Sequence, residues 1–123
     1  MFTTTFKDVI AHEGVVSITT WNTEEAHVSN TWNSYLTISE DHKILIPAAW
    51  MHETEKNIEK NAQTILTVGS HDVMGKIGMG TGFVIKGTAK FITSGGDYDM
   101  MKEKYSFLTR VLEITPVSVK QTL

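Results

Sequence analysis

Short runs of β-branched and aromatic residues, separated by brief polar turns, constrain the fold of this chain more than any other feature. Val15–Thr20 is one such run, and Phe83–Phe91 places apolar or small residues at every second position, which is the period of a half-buried strand. Runs joined by short turns pair antiparallel, since parallel pairing needs long crossovers. Closing such a sheet removes its exposed edges. We therefore predict a mainly β fold, a six-stranded antiparallel barrel with a few short helices.

The predicted elements follow one another without a linker or an internal repeat. The predicted strands are Val15–Thr20, Ala26–Ile38, Lys43–Pro47, Ala62–Val68, Phe83–Phe91 and Val111–Val119. Short helices are predicted near Phe6–Ile10, at Met51–Asn61 and at Asp97–Phe107. Residues 69–82 are predicted to be a glycine-rich connection that can contain the end of one strand and the start of the next. The length of 123 residues fits one domain, residues 1–123.

Composition excludes several functional classes. The chain has no cysteine, which excludes disulfides, Cys-ligated zinc, iron–sulfur clusters and catalytic thiols, and is compatible with a cytoplasmic location. The net charge is -3 and no Lys/Arg block occurs, so no nucleic-acid partner is predicted. Neither a signal peptide nor an apolar run of membrane-spanning length is present, so no membrane contact is predicted.

The titratable residues form no pattern typical of a metal or catalytic centre. The five histidines include no His-x-His or His-Glu-x-x-His pair, so no metal ligands are predicted. No Ser/His/Asp constellation can be assembled from the spacing, and no catalytic residue is predicted.

Two unusual segments indicate a binding site. Residues 30–35 (Asn-Thr-Trp-Asn-Ser-Tyr) offer amide, hydroxyl and indole groups where a plain strand would offer Val or Ile, which suits the wall of a site for a flat, polar-edged ligand. The alternative is a barrel strand whose outward residues are polar by chance. Residues 78–83 (Gly-Met-Gly-Thr-Gly-Phe) indicate a backbone that something approaches closely. The alternative there is a flexible hairpin connection.

The start of the second predicted helix is a candidate phosphate-binding site. A helix start offers free N–H groups and the positive end of the dipole. Thr54 could add a hydroxyl donor, and Lys56 or Lys60 a positive charge. Glu53 and Glu55 have the wrong sign and would have to point away. The alternative is an ordinary surface helix.

Several motifs occur in order at spacings that resemble those of the pyridoxamine-5'-phosphate-oxidase-like split-barrel flavoproteins, in particular their small bacterial FMN-binding members. The resemblance covers essentially the whole chain. Its motifs are Glu13–Val16, Asn30–Leu36, Met51-His52-x-Thr54-Glu55, Gly80–Phe83 with Ile85, and the C-terminal Val117-Ser118 and Gln121–Leu123.

The resemblance implies a six-stranded split barrel and a homodimer with one non-covalent FMN per subunit near the interface. Asn30, Thr31 and Trp32 would border the flavin and its ribityl chain. The other implied cofactor-binding residues are Pro47, Ala48 and Ala49 along the ring edge, His52 and Thr54 at the phosphate, Gly80, Thr81 and Gly82 approaching by backbone, and Leu123 of the other subunit over the isoalloxazine face.

The chain departs from the family pattern at the phosphate. The family has a basic residue where this chain has Glu53, and Lys56, one turn along, is a possible substitute. Small residues including glycine precede the helix in the family, where this chain has Trp50.

The function implied by the resemblance is electron transfer or a simple reductase activity, with a redox protein as a further partner. Glu13 is a candidate carboxylate near the flavin. The alternatives are an NAD(P)H:flavin oxidoreductase or pyridoxamine phosphate oxidase, a barrel that stores FMN or binds haem, and a structural dimer with an empty barrel.

Overall fold

A computed structural model describes all residues, 1–123, and its strands form one antiparallel sheet. The strands are β1 (Val15–Trp21), β2 (Ala26–Trp32), β3 (Thr37–Ile38), β4 (Ile44–Ala48), β5 (Gln63–Met74), β6 (Met79–Ile92) and β7 (Arg110–Gln121). The helices are α1 (Thr4–Ala11), α2 (His52–Lys60) and α3 (Gly96–Lys104), and a short 3-10 helix covers Asn33–Tyr35. None of these helices has the length and apolarity to cross a membrane, since the longest have nine residues.

The sheet curls so that its two edges meet. The strand order is β2-β1-β5-β6-β7-β4-β3, and every neighbouring pair is antiparallel. The edge strands β2 and β3 are consecutive in the chain and are joined only through the 3-10 helix. Because an extended residue spans at most about 3.6 Å, this short connection keeps the two edges close. The result is a barrel that is open between β2 and β3.

Helix α1 closes one end of this barrel. The Thr3 side chain caps the helix by accepting a hydrogen bond from the Phe6 N–H at 3.1 Å, the arrangement that makes threonine a good N-cap. Phe6 and Val9 face inward and are fully buried. The Phe6 ring meets Phe83 of β6 edge to face, with 5.3 Å between the centroids. Because both rings are buried, α1 is held by the main core.

A second, smaller core lies under α3. Met101 of that helix is fully buried with Leu45 of β4, with Leu108 just before β7 and with Val111 of β7. This cluster packs α3 against β4 and the start of β7.

The sheet has seven strands, and the prediction of six was wrong. The predicted strand Ala26–Ile38 is interrupted at Asn33, whose side chain turns into the interior and is fully buried. The Asn33 backbone N–H donates to the Gly14 carbonyl at 2.9 Å, and its carbonyl accepts from the Leu36 N–H at 3.1 Å. These bonds wind the chain into a helical turn, so β2 and β3 are separate strands.

Strands β5 and β6 are longer than the sequence predicts. The predicted connection 69–82 is mostly strand, because Gly69 pairs with Gly82 and Met74 pairs with Met79 in the same hairpin. Only Gly75–Gly78 remains as the hairpin tip. Gly75 and Gly78 lie in this tip, whereas Gly69, Gly80 and Gly82 lie within the strands. A strand tolerates glycine where another backbone approaches it closely, as Val68 approaches Gly82.

Candidate functional site

Strand β2 and helix α2 are brought together by a contact between two hydroxyl groups. The Ser29 and Thr54 side-chain oxygens lie 3.2 Å apart, although 25 residues separate them in the chain. Thr54 is fully buried, so its hydroxyl faces β2. Thr31 lies two residues after Ser29 on the same face of the strand and is also buried. The structure therefore places predicted site residues Thr31 and Thr54 on facing elements.

Asn30 and Trp32 lie on the opposite face of β2, because side chains alternate along a strand. Asn30 is exposed, and its side-chain amide donates to the Val16 carbonyl at 3.2 Å. The Trp32 side chain is 47% exposed. The predicted trio of Asn30, Thr31 and Trp32 is thus divided between two faces of one edge strand.

The N-terminus of α2 has three free backbone donors. The first helical bond runs from the Glu55 N–H to the Met51 carbonyl at 3.0 Å, and Met51 makes no side-chain cap bond. The N–H groups of His52, Glu53 and Thr54 have no protein acceptor. Free N–H groups and the helix dipole together favour an anion at this point.

A strained bend precedes this helix. Trp50 and Met51 both have left-handed backbone conformations, with φ of 63° and 56°. Residues other than glycine adopt this region rarely, at a cost of about 1 kcal/mol or more each. The Trp50 side chain is 79% exposed and its ring lies edge-on to that of His52, 6.3 Å away. His52 is exposed as well, so the bend presents two rings to solvent beside the free N–H groups.

Both acidic residues in the first turn of α2 are paired with a cation. The Glu53 carboxylate lies 3.6 Å from the Lys56 ammonium in an exposed pair. The Glu55 carboxylate accepts a hydrogen bond from Nε of Arg110 at 3.1 Å, in a pair that is mostly buried. Because each carboxylate is paired with a cation, the net negative charge at the helix start is smaller than the two glutamates alone would give.

Pro47, Ala48 and Ala49 lead from β4 into this bend. Pro47 and Ala48 are buried and Ala49 is half-buried. The Ala48 carbonyl accepts from both the N–H and the hydroxyl of Thr109, at 2.9 and 3.2 Å. Its acceptor capacity is therefore used within the protein, and Pro47 has no N–H to offer.

The predicted residues Gly80, Thr81, Gly82 and Leu123 form a second group, at the β5–β6 hairpin. A Cβ on Gly82 would lie 2.7 Å from the Val68 carbonyl, so glycine is needed here by the chain itself. The Gln121 amide donates to the buried Thr81 hydroxyl at 3.0 Å, and the Thr122 N–H donates to the Gly82 carbonyl at 2.9 Å. These bonds fasten the C-terminal residues to β6.

Leu123 is held by its own hairpin but keeps its side chain outside. Its carbonyl accepts from the Lys76 N–H at the hairpin tip, while the residue is 54% exposed. Ile77 and Met79 of the same tip are also exposed. An ordered apolar chain end beside exposed apolar residues is typical of a surface that another molecule covers.

The Glu13 carboxylate is bound by the turn that follows β2. Its two oxygens accept from the Ser34 hydroxyl at 2.7 Å and from the Ser34 N–H at 3.1 Å. These bonds, with a weaker one from the Gly14 N–H, hold the pKa of Glu13 below its usual value. Glu13 is therefore ionised at neutral pH.

An aromatic cluster next to this turn was missed by the sequence reasoning. The Tyr35 ring lies 5.2 Å from that of Tyr105 and 5.6 Å from that of Phe107. The Tyr105 hydroxyl donates to the Ser34 carbonyl at 3.0 Å. Tyr105 and Phe107 belong to the segment after α3, so only the tertiary fold brings them to Tyr35.

Arg110 was also missed, and it is the only arginine in the chain. The other ten of the eleven basic residues are lysines, and this is the one sequence feature that could have indicated Arg110. A guanidinium, unlike an ammonium group, binds several acceptors in a fixed plane.

None of the predicted cofactor-binding residues lines any of five clefts on the surface of the chain. Those clefts lie elsewhere, for example between Trp21 and Lys60 or between Trp21 and Val117. Ligand sites normally bury most of their ligand. These five clefts therefore provide no enclosed site at the predicted residues.

A family model described as pyridoxamine 5'-phosphate oxidase matches residues 2–123. The FMN-binding protein of Nitratidesulfovibrio vulgaris (strain DSM 19637 / Miyazaki F) is 40% identical over 119 residues, which cover 97% of each chain.

Solved structures share the fold at low sequence identity. HupZ from Group A Streptococcus has a TM-score of 0.78 and 17% identity, with 98% of this chain and 94% of that chain covered. An FMN-binding protein from Syntrophomonas wolfei subsp. wolfei has a TM-score of 0.74 and 14% identity, with 94% and 82% covered. The mainly β split-barrel fold is therefore confirmed, with seven strands in place of six.

Proposed function

This chain belongs to the pyridoxamine 5'-phosphate oxidase family, and we propose that it is an FMN-binding flavoprotein that transfers electrons. In this proposal residues 1–123 form a single domain, and two copies form a homodimer in the cytoplasm that binds one FMN per subunit. When bound, FMN supplies the redox chemistry, and the protein binds, orients and shields it.

The observation that carries the proposal is the 40% identity to a protein named for binding FMN, over 97% of both chains. The family model matches residues 2–123, a range that includes β2, the start of α2 and the C-terminal residues.

The residues of this chain fit the phosphate group of FMN. The free N–H groups of His52, Glu53 and Thr54 provide three donors at the positive end of a helix, the usual environment of a bound phosphate. In the proposal His52 and Thr54 hold the phosphate through this helix start. Thr54 contributes its N–H, since its hydroxyl contacts Ser29.

The remaining contacts of the proposal involve both protomers. Asn30, Thr31 and Trp32 border the flavin and its ribityl chain, and the Pro47–Ala49 segment follows the ring edge. Gly80–Gly82 approach by backbone, and Leu123 of the second protomer covers the isoalloxazine face. The exposed but hydrogen-bonded chain end at Leu123 supports a site shared between two copies.

The first experiment is a visible absorption spectrum of the purified protein, followed by titration of the stripped protein with FMN. We expect flavin absorption and saturable binding of one FMN per subunit, with the dimer detected by analytical ultracentrifugation. A colourless protein that does not bind FMN in the titration would contradict the proposal, and haem and FAD would then be tried.

Replacement of Glu13 by glutamine should raise the midpoint potential of the bound flavin. Because Ser34 holds the pKa of Glu13 low, the substitution removes a full negative charge at neutral pH, and a negative charge disfavours the reduced anion. Potentiometric titration of both proteins measures the change, with Glu40→Gln, a remote exposed carboxylate, as the control. An unchanged potential would show that Glu13 does not lie near the flavin.

The rival within the family is an enzyme that turns over a small molecule, a pyridoxamine phosphate oxidase or an NAD(P)H:flavin oxidoreductase. Electron transfer requires no acid or base from the protein, and the proposal assigns none. Stopped-flow reduction separates the two functions. A carrier reduced slowly by NADH, NADPH and pyridoxamine phosphate supports the proposal, whereas rapid saturable reduction by one of them supports the enzyme.

A further inference from the structure

Arg110 joins three parts of the chain at the entrance to α2. Its Nε donates to the Glu55 carboxylate at 3.1 Å, and one terminal nitrogen donates to the Thr109 hydroxyl at 2.8 Å. The other terminal nitrogen donates to the Trp50 carbonyl. The guanidinium carbon lies 4.9 Å from the centre of the Phe91 ring, and the side chain is only 13% exposed. Each of the three guanidinium nitrogens therefore donates one hydrogen bond within the chain.

The Trp50 carbonyl, which Arg110 binds, is the group that could otherwise accept the Thr54 N–H. If α2 began one residue earlier, the Trp50 carbonyl would accept the Thr54 N–H in the usual bond between residues four apart. The left-handed conformations of Trp50 and Met51 turn that carbonyl away, and Arg110 binds it instead. The Thr54 N–H is consequently left free at the helix start.

Arg110 also balances the charge there. Glu55 lies in the first turn of α2, and an unpaired carboxylate in that position repels an anion. The pair with Arg110 is mostly shielded from solvent, where Coulomb interactions are screened less than at the surface. The exposed pair of Glu53 with Lys56 is more strongly screened.

We propose that Arg110 is a positioning residue that makes the N-terminus of α2 selective for the phosphate ester of the flavin. It acts through two contacts, with the Trp50 carbonyl and with the Glu55 carboxylate, and does not itself touch the phosphate. The inference rests on the proposed FMN function. It predicts that Arg110 controls the preference of the protein for FMN over riboflavin, which lacks the phosphate.

The experiment titrates stripped protein with FMN and, separately, with riboflavin, and compares the ratio of the two dissociation constants among variants. R110M removes the charge and the hydrogen bonds, and R110K keeps only the charge. R110M/E55Q removes both partners of the ion pair. K120M, an exposed lysine on the same strand, is the matched control. Circular dichroism and thermal unfolding confirm that each variant is folded.

We expect the preference of R110M for FMN over riboflavin to be about tenfold smaller than that of the wild type, the size expected for a charge at a partly buried helix end. Its affinity for riboflavin should stay within about twofold of the wild-type value. R110K should be intermediate, and R110M/E55Q should regain part of the loss. K120M should match the wild-type ratio.

Two results would overturn the inference. One is an R110M ratio equal to the wild-type ratio, or an equal loss for both ligands, which would make Arg110 merely structural. The other is a double variant no better than R110M, which would remove the charge-balancing role. Failure of the wild-type protein to bind FMN would instead refute the proposed function, so the two failures are distinguishable.

Discussion

Replacement of Asn33 by alanine should lower the free energy of unfolding by about 3 kcal/mol, because it removes the hydrogen bonds of a fully buried side-chain amide that links three segments. The Asn33 amide nitrogen lies 3.2 Å from the Val9 carbonyl and 2.9 Å from those of His12 and Gly69. It thereby ties the end of α1 to β5 and to the turn after β2. Urea unfolding monitored by circular dichroism measures the loss.

The control for this prediction is Asn30→Ala. Asn30 is exposed and its side chain makes one hydrogen bond, to the Val16 carbonyl, so its loss should cost less than about 1 kcal/mol. Asn33→Asp should be as harmful as Asn33→Ala, since it turns acceptor oxygens toward carbonyl oxygens. Equal small losses at positions 30 and 33 would show that the buried amide does not hold these three segments together.

Replacement of Leu123 by alanine should weaken FMN binding about 10- to 30-fold. If Leu123 of one protomer covers the isoalloxazine face bound by the other, the substitution loses roughly 1.5–2 kcal/mol of apolar burial. In the single chain the Leu123 side chain is half-exposed and has little to lose from truncation. Fluorescence titration of stripped protein with FMN measures the change.

Leu123→Met is the matched variant, since it conserves the volume and should bind FMN within about threefold of the wild type. Sedimentation of each variant tests whether the dimer persists, so that a loss of cover is separated from a loss of assembly. An FMN affinity that is unchanged in a dimeric Leu123→Ala protein would place Leu123 away from the cofactor.

Strand and helix positions could be predicted from local pattern alone in most of the chain. The threonines before Phe6 gave α1 close to its observed bounds, and the alternation in Phe83–Phe91 gave the C-terminal part of β6. The prediction failed where a side chain contacts residues that are distant in the sequence. Asn33 looks like any polar strand residue, and only its contact with Gly69, 36 residues away, turns it inward and divides the predicted strand in two.

The candidate site was likewise predicted only in part from the sequence. The helix start at α2 was predicted from local features, a strand followed by good helix formers. The pairing of its acidic residues was not, because Arg110 lies 55 residues from Glu55 and 60 from Trp50. Local spacing did not show whether the carboxylate of Glu55 is paired at this helix start. The tertiary contact with Arg110 shows that it is.

By itself the sequence determined the β-rich class, the positions of most elements and the resemblance that identifies the family, because alternation, propensity and motifs are properties of neighbouring residues. Only the tertiary structure decided which polar groups are used up inside the protein and which remain free. Asn33, Thr54 and Arg110 meet partners distant in the chain, whereas the N–H groups at the start of α2 meet none. Such pairings depend on the path of the backbone in space, and no local period encodes them.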